Sequence, residues 1–99
     1  MKIKDLAKKH RQYIIDMRRE FHMHPEIGWQ EVNTSKRIKE EPDKLGVSYI
    51  AAAKTGIIAT IQGKNEGKTI ALRADMDALE VEELNEIDYK SRNRGVSHA

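Results

Sequence analysis

The chain has 99 residues, of which 38% are hydrophobic and 34% charged, a composition typical of one small soluble domain. Its net charge of +2 is too small to indicate a nucleic-acid partner, and no apolar run is long enough for a transmembrane helix. It contains no cysteine, which is compatible with a reducing compartment. Because the N-terminus is charged from Lys2 onward and lacks the apolar run of a signal peptide, we expect a cytoplasmic location.

The first segment with a clear period spans residues 3–24. Its apolar positions recur at steps of three and four, which predicts an amphipathic helix. Pro25 cannot continue that helix, and it biases His24 away from the helical region. The many Lys and Arg residues lie mainly on the other face, which is either simply solvated or able to contact a phosphate surface. The proposed inner face comprises Ile3, Leu6, Ala7, His10, Tyr13, Ile14, Met17 and Phe21.

A turn over residues 25–29 leads to a second predicted helix over residues 30–45, with Gly46 placed to end it. Pro42 falls on the inner face of this helix, where the pattern asks for an apolar residue. A proline inside a helix costs about 3 kcal/mol. Either the helix breaks near Glu40, or Pro42 is a damaging substitution.

From Val47 the period changes to two, which indicates strands over residues 47–50, 56–61 and 69–75. The third is mostly apolar and is therefore predicted to be central in its sheet. Residues 63–67 are a polar turn, and residues 76–99 are a loop with a possible short helix. The predicted fold class is α/β, with two N-terminal helices followed by a three-stranded β-meander.

Asp75 and Asp77 follow the third predicted strand, at the edge where open α/β sheets bind ligands. Residues two apart point to the same side, so the two carboxylates could hold a cation; alternatively they cap the loop by accepting backbone N–H groups. They begin a run of seven carboxylates over residues 75–88, which is either a solvated face or an acidic rim near a metal.

His22 and His24 form a His-x-His pair at the end of the first predicted helix. A zinc site needs about four ligands, and no further candidates stand nearby in the sequence. A role in terminating the helix, with each imidazole bonded to a loop carbonyl, is the simpler interpretation. His98 is a single histidine near the end of the chain.

Several segments, in order and over nearly the whole chain, resemble the M20 family of metallo-amidohydrolases. The closest branch holds aminoacylase-like, hippurate-hydrolase-like and auxin-conjugate-hydrolase-like enzymes. The resembling segments are residues 18–26 (RREFHMHPE), 34–38 (TSKRI), 54–57 (KTGI), 67–79 (GKTIALRADMDAL), 89–91 (YKS) and 95–99 (GVSHA).

The resemblance implies hydrolysis of the amide bond of an N-acyl amino acid or similar small conjugate, within the α/β/α catalytic domain of a di-metal peptidase-like fold. Two divalent ions (zinc, manganese or cobalt) would activate a bridging water. In the family, His-Ala is followed by Cys-Gly-His-Asp, which begins the metal ligands. Residues 1–99 would thus be an incomplete N-terminal part of the catalytic domain, with the ligands beyond residue 99 and no metal bound by this chain alone.

Carried over position by position, Asp77 matches a carboxylate that orients a metal ligand. Asp75 stands where many relatives have a ligand His, and an Asp here is usual in this branch. His98 would lie near the site. The signature residues Arg18, His22, Pro25 and Glu26 are given a structural role.

The sequence departs from the family at Pro42, and at Ser97, where relatives usually have Met. It also lacks the ligands, the glutamate base and the small dimerisation domain. We therefore expect the 99-residue chain to be catalytically inert and to self-associate through exposed core surface or a sheet edge. The alternative is a non-catalytic remnant or interaction module that keeps part of the fold.

Overall fold

The N-terminal apolar pattern produces two consecutive helices. In the computed structural model, which describes residues 2–98, α1 spans Ile3–Lys9 and α2 spans Arg11–Met23. His10 lies between them with φ −97° and ψ 5°. Its amide still donates to the Leu6 carbonyl at 3.1 Å, and its own carbonyl accepts from the Ile14 amide at 3.0 Å. The prediction of one helix over 3–24 is therefore wrong at His10, a residue with only modest helix propensity.

The next helix, α3, spans Val32–Leu45 and contains Pro42. The prediction of a break near Glu40 is wrong. Pro42 lies in the last turn of α3, where amides that follow the helix donate hydrogen bonds to its carbonyls. The Pro42 carbonyl accepts from the Val47 amide at 2.8 Å, and the Asp43 carbonyl accepts from the Gly46 amide at 3.3 Å. Gly46 has φ +68°, the left-handed conformation of a Schellman motif. Its predicted role in ending the helix is confirmed.

Two strands follow as a hairpin that packs against α3. Strand β1 spans Ser48–Ala52 and β2 spans Gly56–Thr60, paired antiparallel from Ser48 opposite Thr60 to Ala52 opposite Gly56. The connecting turn uses positive φ at Ala53 and Lys54. At Gly56 a Cβ atom would lie 2.7 Å from the Ala52 carbonyl oxygen, so the close approach at this turn requires glycine.

The predicted third strand over residues 69–75 is absent, so the sheet has two strands among residues 2–98. Ile70 and Leu72 are 85% and 98% exposed, and the prediction of a central, buried strand is wrong. A central strand needs packed layers on both sides of its sheet. The described residues supply neither those layers nor a pairing strand. The α/β class is confirmed, with helices α1–α3 and the hairpin.

The segment over residues 78–98 contains no helix, and it is fixed by isolated bridges. Ala78 pairs with Ile27, and Leu79 pairs with Ser97. Ala78 is buried, and Pro25, in the turn after α2, is fully buried beside this region. The small core therefore sits where that turn meets the start of the 78–98 segment. No helix within residues 2–98 is long and apolar enough to cross a membrane.

Candidate functional site

Asp75 and Asp77 follow the irregular segment over residues 61–74. An oxygen of Asp75 lies 2.7 Å from the Arg73 guanidinium, but both side chains are exposed, so this ion pair adds little stability. Asp77 lies beside Gly28, where a Cβ atom would come within 3.9 Å of its Oδ2 atom. Across residues 2–98, no three His, Asp or Glu side chains come together in a way that could hold a metal ion.

His98 lies close to α2 and to Asp77. Its ring centroid is 6.5 Å from that of His22, and its Nε2 atom is buried without a hydrogen-bond partner among the described residues. Burial is the main cause that lowers the pKa of His98, and the nearby His22 adds to it. A backbone hydrogen bond with Asp77, and then the negative charge of Asp77, act in the opposite direction without reversing the shift. The fold thus brings together two of the three predicted site residues, Asp77 and His98.

Sequence reasoning missed a buried pair formed by His22 and Glu83. The His22 Nε2 atom lies 2.7 Å from the Glu83 Oε2 atom, and the Glu83 Oε1 atom accepts from the Ser91 amide at 2.6 Å. We call these two contacts the Glu83 bridge. The Ser91 amide is the main cause that lowers the pKa of Glu83, and His22 contributes next. Because His22 and Glu83 are 61 positions apart, no local sequence pattern indicates that they form a pair. The solvated-face interpretation of the acidic run is wrong for Glu83.

Aromatic contacts also connect α2 to the segment that follows Glu83. The Tyr89 ring meets the His22 ring edge-on, with centroids 6.0 Å apart, and the Arg19 guanidinium lies 4.4 Å above the Tyr89 ring centroid. Such cation–π contacts favour a fixed packing geometry. His22 bonds to a carboxylate, so its predicted bond to a loop carbonyl is wrong. The end of α2 is thereby packed against residues 83–91.

Glu26 has the structural role that the family resemblance implied. Its carboxylate accepts from the backbone amides of Thr34, at 2.5 Å, and Asn33, at 3.2 Å, at the start of α3. Burial acts to raise the pKa of Glu26, but these hydrogen bonds outweigh it and leave the pKa lowered. A carboxylate at a helix N-terminus satisfies free N–H groups and complements the helix dipole.

A largely apolar cavity of about 760 Å³ opens between α2, α3, β2 and the segment around Leu72. Phe21, Ile38 and Ile57 contribute to its apolar lining, and both His22 and His98 border it. A second cavity of about 380 Å³ is lined by Asp77, among others. Asp75 and the residues next to it border both spaces. The predicted site residues therefore lie on the borders of these cavities: His98 at the larger, Asp77 at the smaller and Asp75 at both.

Comparison with known proteins gives a consistent result, although no protein-family model matches the chain. Thermostable carboxypeptidase 1 of Saccharolobus solfataricus is 43% identical over 100 residues, which cover 99% of this chain and 25% of that protein. N-acetylcysteine deacetylase of Bacillus subtilis is 41% identical over 88 residues, covering 87% of this chain and 23% of the enzyme. IAA-amino acid hydrolase ILR1-like 5 of Arabidopsis thaliana is 46% identical over 88 residues, covering 88% of this chain and 20% of that protein.

Among solved structures, the fold matches the Bacillus subtilis YXEP protein, described as a dinuclear metal binding peptidase from the M20 family. The TM-score is 0.85 and the identity 38%, over 92% of this chain and 26% of that one. The chain spans about a quarter of the length of the curated relatives it matches. The resemblance inferred from the sequence segments is thus confirmed: over the quarter of their length that it spans, the chain is similar to hydrolases of the M20 family.

Proposed function

We propose that residues 1–99 are the N-terminal part of the catalytic domain of an M20 metallo-amidohydrolase. The whole enzyme would cleave the amide bond of N-acyl amino acids or similar small conjugates. The observation that carries this proposal is the fold match to a dinuclear metal binding peptidase at a TM-score of 0.85. The similarity to a deacetylase and to an amino acid conjugate hydrolase supports the substrate class.

The part played by this chain would be to shape the site. Two divalent ions, zinc, manganese or cobalt, would polarise the carbonyl and lower the pKa of the attacking water in the whole enzyme. Residues 2–98 do not form a ligand set for them. In this proposal Asp77 orients a neighbouring ligand, Asp75 lies at the border of the site, and His98 directly precedes the segment that would carry the metal ligands.

The 99-residue chain alone should therefore be inactive. The test incubates the purified chain with N-acetyl and N-benzoyl amino acids in the presence of Zn²⁺, Mn²⁺ or Co²⁺. No release of free amino acid above the blank is expected. Metal-dependent release that chelation abolishes would overturn this part of the proposal.

A chimera tests the enzymatic part. The part of this chain that matches the Bacillus subtilis N-acetylcysteine deacetylase over 88 residues replaces the corresponding segment of that enzyme, and deacetylation of N-acetylcysteine is measured. We expect metal-dependent activity, which Asp77→Asn reduces and Asp88→Asn, in the same acidic run, leaves unchanged. A chimera that melts cooperatively yet shows no activity would refute the proposal.

The second candidate function is an interaction module without catalysis. It is favoured by large apolar side chains in the exposed 61–72 segment, where Ile61, Ile70 and Leu72 face solvent. Self-association through this surface or through a free edge of the hairpin is expected of the fragment. A cooperative monomer by light scattering would count against the fragment reading and for an autonomous module.

A cytoplasmic location completes the proposal. It is supported by the absence of cysteine from the sequence, which is compatible with a reducing compartment. Fractionation of cells that express the chain from its own gene tests it. Recovery from a membrane or secreted fraction would contradict it.

A further inference from the structure

Glu83 is unlike its neighbours in the acidic run because it is only 8% exposed. Burying a carboxylate is costly unless hydrogen bonds compensate. Both oxygens of Glu83 have such a partner, one in His22 of α2 and the other in the Ser91 amide. One side chain therefore joins α2 to the backbone at Ser91.

The backbone after Ser91 continues along the end of α2. The Arg92 amide donates to the Met23 carbonyl at 2.8 Å, and the Asn93 side-chain amide donates to the Pro25 carbonyl at 3.0 Å. Further on, Ser97 exchanges two backbone hydrogen bonds with Leu79, of 2.9 and 3.0 Å. Segment 91–98 is thus fixed at both ends, with the Glu83 bridge at its start.

We propose that Glu83 is a positioning residue: through His22 and Ser91 it holds segment 91–98 against α2, and so sets where His98 stands relative to Asp77. Its catalytic consequence rests on the function proposed above, in which Asp77 and His98 border the reaction centre. Glu83 itself need not touch substrate. It acts through the backbone that leads to His98.

The carboxylate does what an uncharged side chain of the same size would not. It accepts a hydrogen bond from the His22 Nε2–H group and another from the Ser91 amide at the same time, so the Nε2 atom of His22 carries a proton. A glutamine keeps the size and one acceptor oxygen but offers an N–H₂ group to one of the two donors. Glu83→Gln therefore removes half of the Glu83 bridge without leaving a cavity.

The first test uses the 99-residue chain and nuclear magnetic resonance. Amide exchange at Ser91 and Arg92, and the ring ¹⁵N shifts of His22, are compared in the wild type, Glu83→Gln and Glu86→Gln. Glu86 is the matched control because its side chain is 93% exposed. We expect at least about tenfold faster exchange and loss of the Nε2–H signature in Glu83→Gln alone. Unchanged exchange and shifts would overturn the proposal.

The second test uses the chimera described above and separates positioning from simple stabilisation. Glu83→Gln should lower kcat about tenfold, leave KM unchanged, and give no further loss when combined with His22→Asn. A lower melting temperature with unchanged kcat of the folded enzyme would assign Glu83 a merely structural role and overturn the proposal. If the wild-type chimera is inactive, the proposed function fails, and the exchange experiment alone decides the role of Glu83.

Discussion

The Nε atom of Arg37 donates a 2.5 Å hydrogen bond to the Oε2 atom of Glu20, and this ion pair joins α3 to α2. The same guanidinium donates to the Glu41 Oε2 atom at 2.6 Å, one turn further along α3. One cation therefore connects carboxylates on two helices. Because few apolar side chains are buried between these helices, polar contacts carry much of their relative placement.

Replacing Arg37 by Met should loosen the contact between α2 and α3. The change keeps an unbranched apolar stem but leaves the two carboxylates without their shared donor. Because the ion pairs are partly exposed, we expect only a modest fall in melting temperature, of roughly 3–6 °C. Circular dichroism melting measures it, with Lys36→Met as the control. An equal fall in both variants would show that Arg37 has no special role.

The stability of the chain should fall in acid partly through Glu41. Arg37, and then Tyr13, donate hydrogen bonds that lower the pKa of Glu41 from 4.5 to about 2. A pKa that is lower in the folded state stabilises the fold fully above the unfolded value and loses this contribution as the pH falls toward the folded value. The affected window is therefore between 4.5 and about 2.

Urea midpoints at about pH 6 and about pH 3 measure this contribution. The wild type should lose more stability between the two conditions than Glu41→Gln, which has no carboxyl group to protonate at this position. Glu40→Gln, at the neighbouring position, serves as the control and should behave like the wild type. The same acid sensitivity in Glu41→Gln as in the wild type would contradict the assignment.

Glu26→Gln should weaken the start of α3. The charged carboxylate accepts from the amides of Asn33 and Thr34, and a neutral amide accepts less strongly and does not complement the helix dipole. We expect a loss of about 1 kcal/mol in the free energy of unfolding. Chemical denaturation measures it, and Glu66→Gln in the exposed loop is the control. Retention of full stability would show that the cap contributes nothing.

Pro42→Ala should stabilise the chain. Alanine restores an amide that can donate to the Ile38 carbonyl, and it removes the steric cost of a proline in a helix. The gain, offset by greater freedom of the unfolded chain, should be about 1–2 kcal/mol. The comparison variant is Pro25→Ala, which removes a fully buried ring and should destabilise. A loss of stability in Pro42→Ala would show that the proline is needed for packing beside the larger cavity.

Leu72→Asp should reduce self-association. Leu72 is almost completely exposed and borders the larger cavity, so a charge there disfavours burial against a second chain. Light scattering at increasing concentration should show a smaller average mass than for the wild type. Lys68→Gln, in the same segment, lowers the net charge by the same single unit and is the control. If both variants associate like the wild type, this surface is not the contact.

The parts of the fold that could be predicted are those governed by neighbours in sequence. Gly46 ends α3 because a left-handed residue is needed there, and the β-branched run at Ile57 and Ile58 forms β2 of a hairpin. The segment around Leu72 has equally strong strand character but finds no pairing partner in residues 2–98. Its conformation depends on layers that local pattern cannot supply.

The candidate site likewise has residues that the sequence predicts and residues that depend on distant contacts. Asp77 and His98 were identified through a resemblance that preserves spacing, and the fold brings them near each other. Their roles in catalysis stay predictions. The sequence does not distinguish Glu83 from the other carboxylates of the acidic run, because its burial depends on His22 and on a backbone amide in another segment. A contact between residues 61 positions apart leaves no period to detect.

The β-bridge between Ala78 and Ile27 and the hydrogen bond from the Arg92 amide to the Met23 carbonyl also affect the order in which the chain folds. Both close long loops, whereas α1 to β2 rely mostly on contacts between neighbouring elements. On the ribosome, synthesis from the N-terminus completes the helices and the hairpin first. The surface of the turn at Pro25 stays uncovered until residues 78–98 have emerged. Translation speed over residues 78–98 should therefore determine how long that surface is open to chaperones or to other nascent chains.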